Sequence, residues 1–212
     1  MPRIPLFSAE NMTPEQERVY HAIVSGPRTT VVGPLRASMH HPELADRWQK
    51  FGELLRFDTT LPRDLNELAI LVTARRWNAE LEWAIHEKAA LEAGLDADLI
   101  ESIRLGHPPH LPESDEADVY EFTRTLVQHG NVDEEVYQRV WTRWGTVGIV
   151  ELSSVIGYYS MVAMTLNVHE IPLPAGTQPP LPALNPSTEL PSLTSLPAAA
   201  THDLSGAGRG HA

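Results

Sequence analysis

The chain contains no cysteine, and it has few basic residues for its length. Without cysteine it can form neither disulfide bonds nor thiolate-based redox sites. Of its 212 residues only 16 are Lys or Arg, against 28 Asp or Glu, so the net charge is −12. Because a field of that sign repels nucleic acids and anionic membranes, we expect neither as a partner.

Long apolar runs and strand patterns are also scarce. We find no run that approaches the length of a membrane span, and residues 1–5 lack the apolar core of a signal peptide. We therefore expect a cytoplasmic protein. The length fits one domain with a substantial core, and the near absence of strand signals predicts an all-α fold.

Residues 61–94 carry the clearest helical pattern, with apolar residues at three-to-four spacing. Pro62 is typical of a helix start, and Gly94 of a helix end. The side chain of Asn78 competes for backbone hydrogen bonds, so we predict two helices that meet there. An earlier helix is predicted to begin at a capping box opened by Thr13.

Further helices are predicted towards the end of the chain, at residues 96–104, 114–129, 133–144 and 147–169. Residues 147–167 are apolar nearly all round. We therefore expect a buried helix, at the centre of the domain or at a subunit interface.

Three side chains in the central stretch are able to move protons. Glu82 and His86 are four residues apart, so they share a helix face and can hydrogen-bond. Glu67 lies on the preceding apolar stripe, where an acid either reaches solvent or sits in a cavity with partners. Pairs of this kind also occur on solvated helices, so spacing alone leaves the function open.

At these residues the sequence resembles the carboxymuconolactone decarboxylase family, an all-helical group that also contains the AhpD-type alkylhydroperoxidases. In the hydroperoxidase branch a Glu precedes a Cys-x-x-Cys motif and a His. Here the Glu is Glu67, the His is His86, and the two cysteine positions hold Ala79 and Glu82. Thiol peroxidase chemistry is therefore excluded. The chain resembles the cysteine-free branch, through the stretch Trp77–His86.

Two flanking segments, at 33–49 and 156–173, support this resemblance, which covers roughly residues 30–174. It implies an AhpD-like domain there, preceded by an N-terminal arm and helix at 1–29. Pro, Ala and Ser are frequent in residues 175–212, so we expect a tail that is flexible or wraps a neighbouring subunit. The resemblance also implies a homo-oligomer, a trimer or hexamer. The side chains expected to hold the tail are Leu181, Leu184 and Leu190.

The resemblance implies a cofactor-independent acid–base enzyme similar to carboxymuconolactone decarboxylase. Its substrate is expected to be a small carboxylated or lactone metabolite of aromatic-compound catabolism. A conjugated lactone accepts the electrons left by carbon dioxide, so we expect no metal and no organic cofactor. The expected catalytic residues are Glu67, Glu82 and His86. The expected substrate-binding residues are His40, Arg75, Arg76, Trp83 and Tyr158.

Several alternatives stay open at the level of sequence. The three catalytic candidates suit isomerisation or lactone opening as well as decarboxylation. The chain could instead be a non-catalytic helical oligomer or small-molecule binding protein, in which Glu82 and His86 only satisfy each other. A divalent metal held by Glu67, Glu82 and His86 is a third possibility. Arg75 and Arg76 could hold a substrate carboxylate or pair with nearby acids.

Overall fold

A computed structural model of the chain describes residues 1–112, 114–182, 190, 191 and 193. Those residues form eight α-helices and no strand, which confirms the predicted all-α class. The helices are α1 Pro14–Val24, α2 Pro34–Ser38, α3 Pro42–Phe57, α4 Arg63–Trp77, α5 Glu80–Ala93, α6 Ala97–Leu105, α7 Asp115–His129 and α8 Glu134–Val168.

The capping box predicted at the start of α1 is present. The Thr13 hydroxyl accepts a hydrogen bond from the Gln16 backbone N–H at 3.2 Å, and the Gln16 side chain accepts one from the Thr13 N–H at 3.0 Å. Both donors would otherwise lack a partner at the helix end, so this exchange fixes where α1 begins.

The predicted break between α4 and α5 is also confirmed. Asn78 adopts a left-handed conformation, with φ 50° and ψ 45°, directly after the last residue of α4. Its side-chain oxygen accepts a hydrogen bond of 2.7 Å from Arg75 Nη1. Asn tolerates this conformation better than most residues. The resulting turn returns the chain along α4, so α5 packs beside it.

Helix α4 is the centre of the core. Every residue from Leu65 to Arg75 is buried, and the helix packs against α5, α7 and α8. A polar side chain on α4 therefore has no route to solvent and needs an internal partner. Glu67 is one such side chain.

Helix α8 joins the two helices predicted at its end of the chain. Gly145 interrupts it with φ 62° and ψ −167°, a combination open to glycine alone. The helix on either side therefore changes direction at this residue. The predicted boundary between residues 144 and 147 thus corresponds to a kink inside one helical run.

Helix α8 is not buried on all sides within the single chain, because one stripe of large apolar side chains is exposed; the expected burial at a subunit interface stays a prediction. These side chains are between 41% and 59% exposed: Val147, Val150, Met161, Met164 and Val168. By length and composition α8 could also cross a membrane, contrary to the expectation that no apolar run approaches that length. Half of the apolar window that meets this criterion is buried inside the protein.

Both ends of the described chain pack on the domain. In the N-terminal arm, the Arg3 N–H donates to the His169 carbonyl at 2.9 Å. In the tail, the described leucines Leu181, Leu190 and Leu193 are buried against the same chain. Leu184, also expected to hold the tail, lies outside the described residues.

Candidate active site

A pocket opens beside the start of α5, with a cavity volume of about 50 Å³. Five parts of the chain line it. They are the loop before α2 with Arg28 and Val32, the start of α2, the end of α3 with Arg56, the start of α5 with Glu82 and His86, and α8 with Tyr158 and Tyr159.

His86, which lines this pocket, forms a buried pair with Glu67 of α4. His86 Nδ1 lies 2.6 Å from Glu67 Oε2, and the two side chains are 5% and 3% exposed. A carboxylate only accepts hydrogen bonds, so the contact places a proton on Nδ1. The other ring nitrogen, Nε2, remains for a ligand in the pocket. The Tyr159 ring packs edge-on against the imidazole, with 4.9 Å between centroids, and fixes its orientation.

The environment of His86 favours a neutral imidazole. Burial lowers the pKa of His86 below its usual range; the hydrogen bond and charge of Glu67 oppose this shift, and the positive charges of Arg56 and Arg28 reinforce it. A neutral imidazole with Nδ1 held by a carboxylate presents Nε2 as a base.

Glu82 lines the same pocket, and its surroundings favour the protonated form of its carboxyl group. Both carboxyl oxygens are buried without a hydrogen-bond partner in the described part of the chain. Burial raises the pKa of Glu82 well above its usual range, because nothing compensates the lost hydration of the anion. Burial therefore favours the protonated, neutral form of the Glu82 carboxyl group, which can donate a proton.

The predicted hydrogen bond between Glu82 and His86 is not formed. Their spacing does place both on the pocket side of α5, but the imidazole bonds across the helix interface to Glu67 of α4 instead. The alternative in which Glu82 and His86 only satisfy each other therefore fails. No group of three His, Asp or Glu side chains suited to a metal ion occurs among the residues described.

Of the five predicted substrate-binding residues, the structure places Tyr158 in the pocket lining. The other four lie elsewhere. His40 Nε2 contacts the Pro5 carbonyl at 2.6 Å, and Trp83 is fully buried in the core. Arg75 bonds to Asn78, and Arg76 lies over the Trp77 ring at 5.6 Å.

Neither Arg75 nor Arg76, both in the last turn of α4, is among the residues that line the pocket. Burial lowers the pKa of Arg75 to about 10, with Glu80 opposing the shift. The cations that do line the pocket are Arg28 and Arg56. Sequence reasoning missed them because Arg28 lies in a loop without periodicity. Arg56 lies in the last turn of α3, where a basic residue is favoured in any helix, so its position did not indicate a site.

No family model matches the sequence, and no curated protein matches it. The fold is similar to that in the crystal structure of an uncharacterized peroxidase-related protein from Silicibacter sp. TM1040, with a TM-score of 0.68. The match covers 82% of this chain and 92% of that one, at 13% sequence identity. At this identity the likeness shows the fold alone. The chain thus shares the helical fold of that protein.

Proposed function

We propose that the protein is a cofactor-independent acid–base enzyme that acts on a small carboxylated or lactone metabolite, as a decarboxylase does. The observation that supports this proposal is that one pocket contains both a base and an acid. The Glu67–His86 pair offers a base at Nε2, and Glu82 offers an acid. Two groups whose surroundings push their pKa values apart in this way suit acid–base catalysis.

Decarboxylation illustrates how the three residues divide the work. When the bond to the carboxylate breaks, carbon dioxide leaves and its bonding electrons enter the conjugated lactone. Glu82 then delivers its proton to the carbon that holds the developing negative charge. The resulting carboxylate regains a proton from solvent, either directly or through His86, whose Nε2 takes the proton and passes it on while Glu67 stabilises the charged imidazole. The same groups suit isomerisation, with His86 removing the proton.

The charge of the pocket supports an anionic substrate. Arg28 and Arg56 line it, neither forms an ion pair within the described residues, and burial disfavours the charged form of Glu82. The pocket is thus locally positive in a chain with a net charge of −12. A buried site of this sign favours a carboxylate over a neutral molecule.

The test is an ultraviolet and carbon dioxide assay on carboxymuconolactone and related ring-cleavage acids. We expect turnover by the wild type, and its loss in Glu82→Gln and His86→Ala. Glu92→Gln is the matched control, since Glu92 also lies on α5 but is exposed and pairs only loosely with Lys88, at 3.8 Å. Equal turnover by Glu82→Gln and wild type would contradict the assigned roles.

A non-catalytic binding protein is the alternative, and the same assay separates it. The positive pocket would hold a small anion even without chemistry. Binding of the panel compounds without turnover of any of them would favour this alternative over an enzyme.

We also propose that the chain forms a homo-oligomer through α8. The exposed apolar stripe from Val147 to Val168 recurs at three-to-four spacing, with the exposed Gly157 near its middle. Such a stripe is typical of a helix that packs against another helix. A second copy of this chain offers a matching stripe, which supports a symmetric pairing.

A further inference from the structure

The loop between α1 and α2 brings an arginine into the pocket without a partner. Nε and Nη2 of Arg28 are buried, and neither has a hydrogen-bond partner in the part of the chain that the structure describes. Buried guanidinium groups are usually paired with carboxylates or with backbone carbonyls. This one is held in a pocket with its donors unused, as expected of a group that binds a ligand.

Gly52 makes room for this guanidinium. A Cβ placed on Gly52, in the middle of α3, would lie 2.6 Å from Arg28 Nη2 and closer still to the Tyr158 hydroxyl. Both polar groups therefore approach the α3 backbone at one point and are neighbours of each other. Any larger residue would displace them. The absent side chain creates the space in which the two groups meet.

The Tyr158 hydroxyl is fixed beside Arg28 as a hydrogen-bond donor. Its ring packs edge-on against Phe51, with 5.6 Å between centroids, and against Trp48 at 6.5 Å. Burial raises the pKa of Tyr158, with the charge of Arg28 opposing the shift, so the phenol keeps its proton at neutral pH. A guanidinium and a phenol side by side offer donors to both oxygens of a carboxylate.

The backbone next to Arg28 is strained. Thr29 has a φ of 57°, a left-handed conformation that β-branched residues rarely adopt. Strain of this kind persists where the surrounding structure imposes it, and it concentrates at functional sites. Here it accompanies the turn of the chain that carries Arg28 into the pocket.

From these four observations we infer that Arg28 and the Tyr158 hydroxyl, facing each other over Gly52, form the subsite that binds the carboxylate of the ligand. The inference deepens the proposed function, on which it rests for the choice of a small carboxylated ligand. It assigns binding to Arg28 and Tyr158, separate from the proton transfer of Glu82 and His86. The ligand class is a small organic acid, not a neutral lactone.

The test measures binding, not turnover, by isothermal titration calorimetry. The probe is the lactone acid 5-oxotetrahydrofuran-2-carboxylate, compared with its neutral carboxamide. We expect the wild type to bind the acid about ten- to a hundredfold more tightly than the amide, since charge-assisted hydrogen bonds are lost with the amide. Arg28→Met and Gly52→Ala should both remove that preference.

Arg47→Met is the matched control, because Arg47 lies on α3 with its side chain 79% exposed and should bind as the wild type does. Arg28→Lys keeps the charge and should lose less affinity than Arg28→Met, which guards against a misfolded variant. Equal affinity for acid and amide in the wild type, or wild-type affinity in Arg28→Met, would overturn the inference. If the acid binds through Arg28 but no acid is turned over, the carboxylate-binding subsite is supported and the proposed enzymatic function is contradicted.

Discussion

Glu67 Oε2 and His86 Nδ1 lie 2.6 Å apart across the interface between α4 and α5. The two residues are 19 positions apart in sequence, and both side chains are almost fully buried. Because α4 is buried from Leu65 to Arg75, this carboxylate has no access to water. The contact therefore satisfies two groups that would each be costly alone, and it directs the free imidazole nitrogen to the pocket.

Glu67→Gln should reduce turnover by roughly 10²- to 10⁴-fold, the range for a disturbed acid–base pair. The amide keeps the shape and can still accept a hydrogen bond from Nδ1, but it cannot stabilise a charged imidazole. The free energy of unfolding should fall by about 1–3 kcal/mol. Steady-state kinetics and urea denaturation measure the two effects. Full activity in this variant would show that Glu67 has only a structural role.

Glu82→Gln should not lower stability at pH 7 and should change its pH dependence. In the folded protein burial raises the Glu82 pKa, so above the ordinary value of 4.5 the unfolded chain loses a proton that the folded one keeps. The wild type is therefore destabilised as pH rises from 4.5 towards the folded pKa, by up to about 1.4 kcal/mol per pH unit.

Gln has no such proton, so the variant should become more stable relative to the wild type as pH rises across that window. Urea denaturation of both proteins at several pH values measures the difference, with Glu92→Gln as the control that should follow the wild type. Parallel stability curves for Glu82→Gln and wild type would show that Glu82 is ionised in the folded protein.

The pH dependence of kcat/KM should be bell-shaped on any compound the enzyme turns over. Activity needs His86 neutral and Glu82 protonated. Burial lowers the His86 pKa, so the acidic limb should fall below the ordinary histidine value of 6.5. The alkaline limb reports ionisation of Glu82, above the ordinary glutamate range. An acidic limb above 6.5 would contradict the buried environment of His86.

The sequence predicted those structural features that depend on local pattern, and it did not predict contacts that depend on helix packing. The capping box at Thr13 and the break at Asn78 are local, and both are confirmed. The partner of His86 is not local. Spacing favoured Glu82, whereas helix packing brought Glu67 onto the imidazole. Sequence spacing predicted a contact between Glu82 and His86, whereas the structure has one between Glu67 and His86.

The arginines show the same limit more sharply. Arg75 and Arg76 are next to the predicted site in sequence, yet neither lines the pocket: Arg75 bonds to Asn78, and Arg76 lies over the Trp77 ring. Arg28 lies more than fifty residues before Glu82 and in a loop, where no periodicity indicates direction. Its approach to the pocket depends on the space left by Gly52, which only three-dimensional packing reveals.

The exposed stripe on α8 leads to a prediction about assembly. If the stripe packs against a second copy, a charge at its centre must be buried without a partner on association, which is strongly unfavourable. Met161→Lys should therefore lower the molar mass measured by size-exclusion chromatography with light scattering, while the monomer stays helical by circular dichroism. Leu91→Lys is the control, since Leu91 is 49% exposed on α5, away from the stripe. An unchanged molar mass in Met161→Lys, or a wild type that is already a monomer, would show that this face does not hold the subunits together.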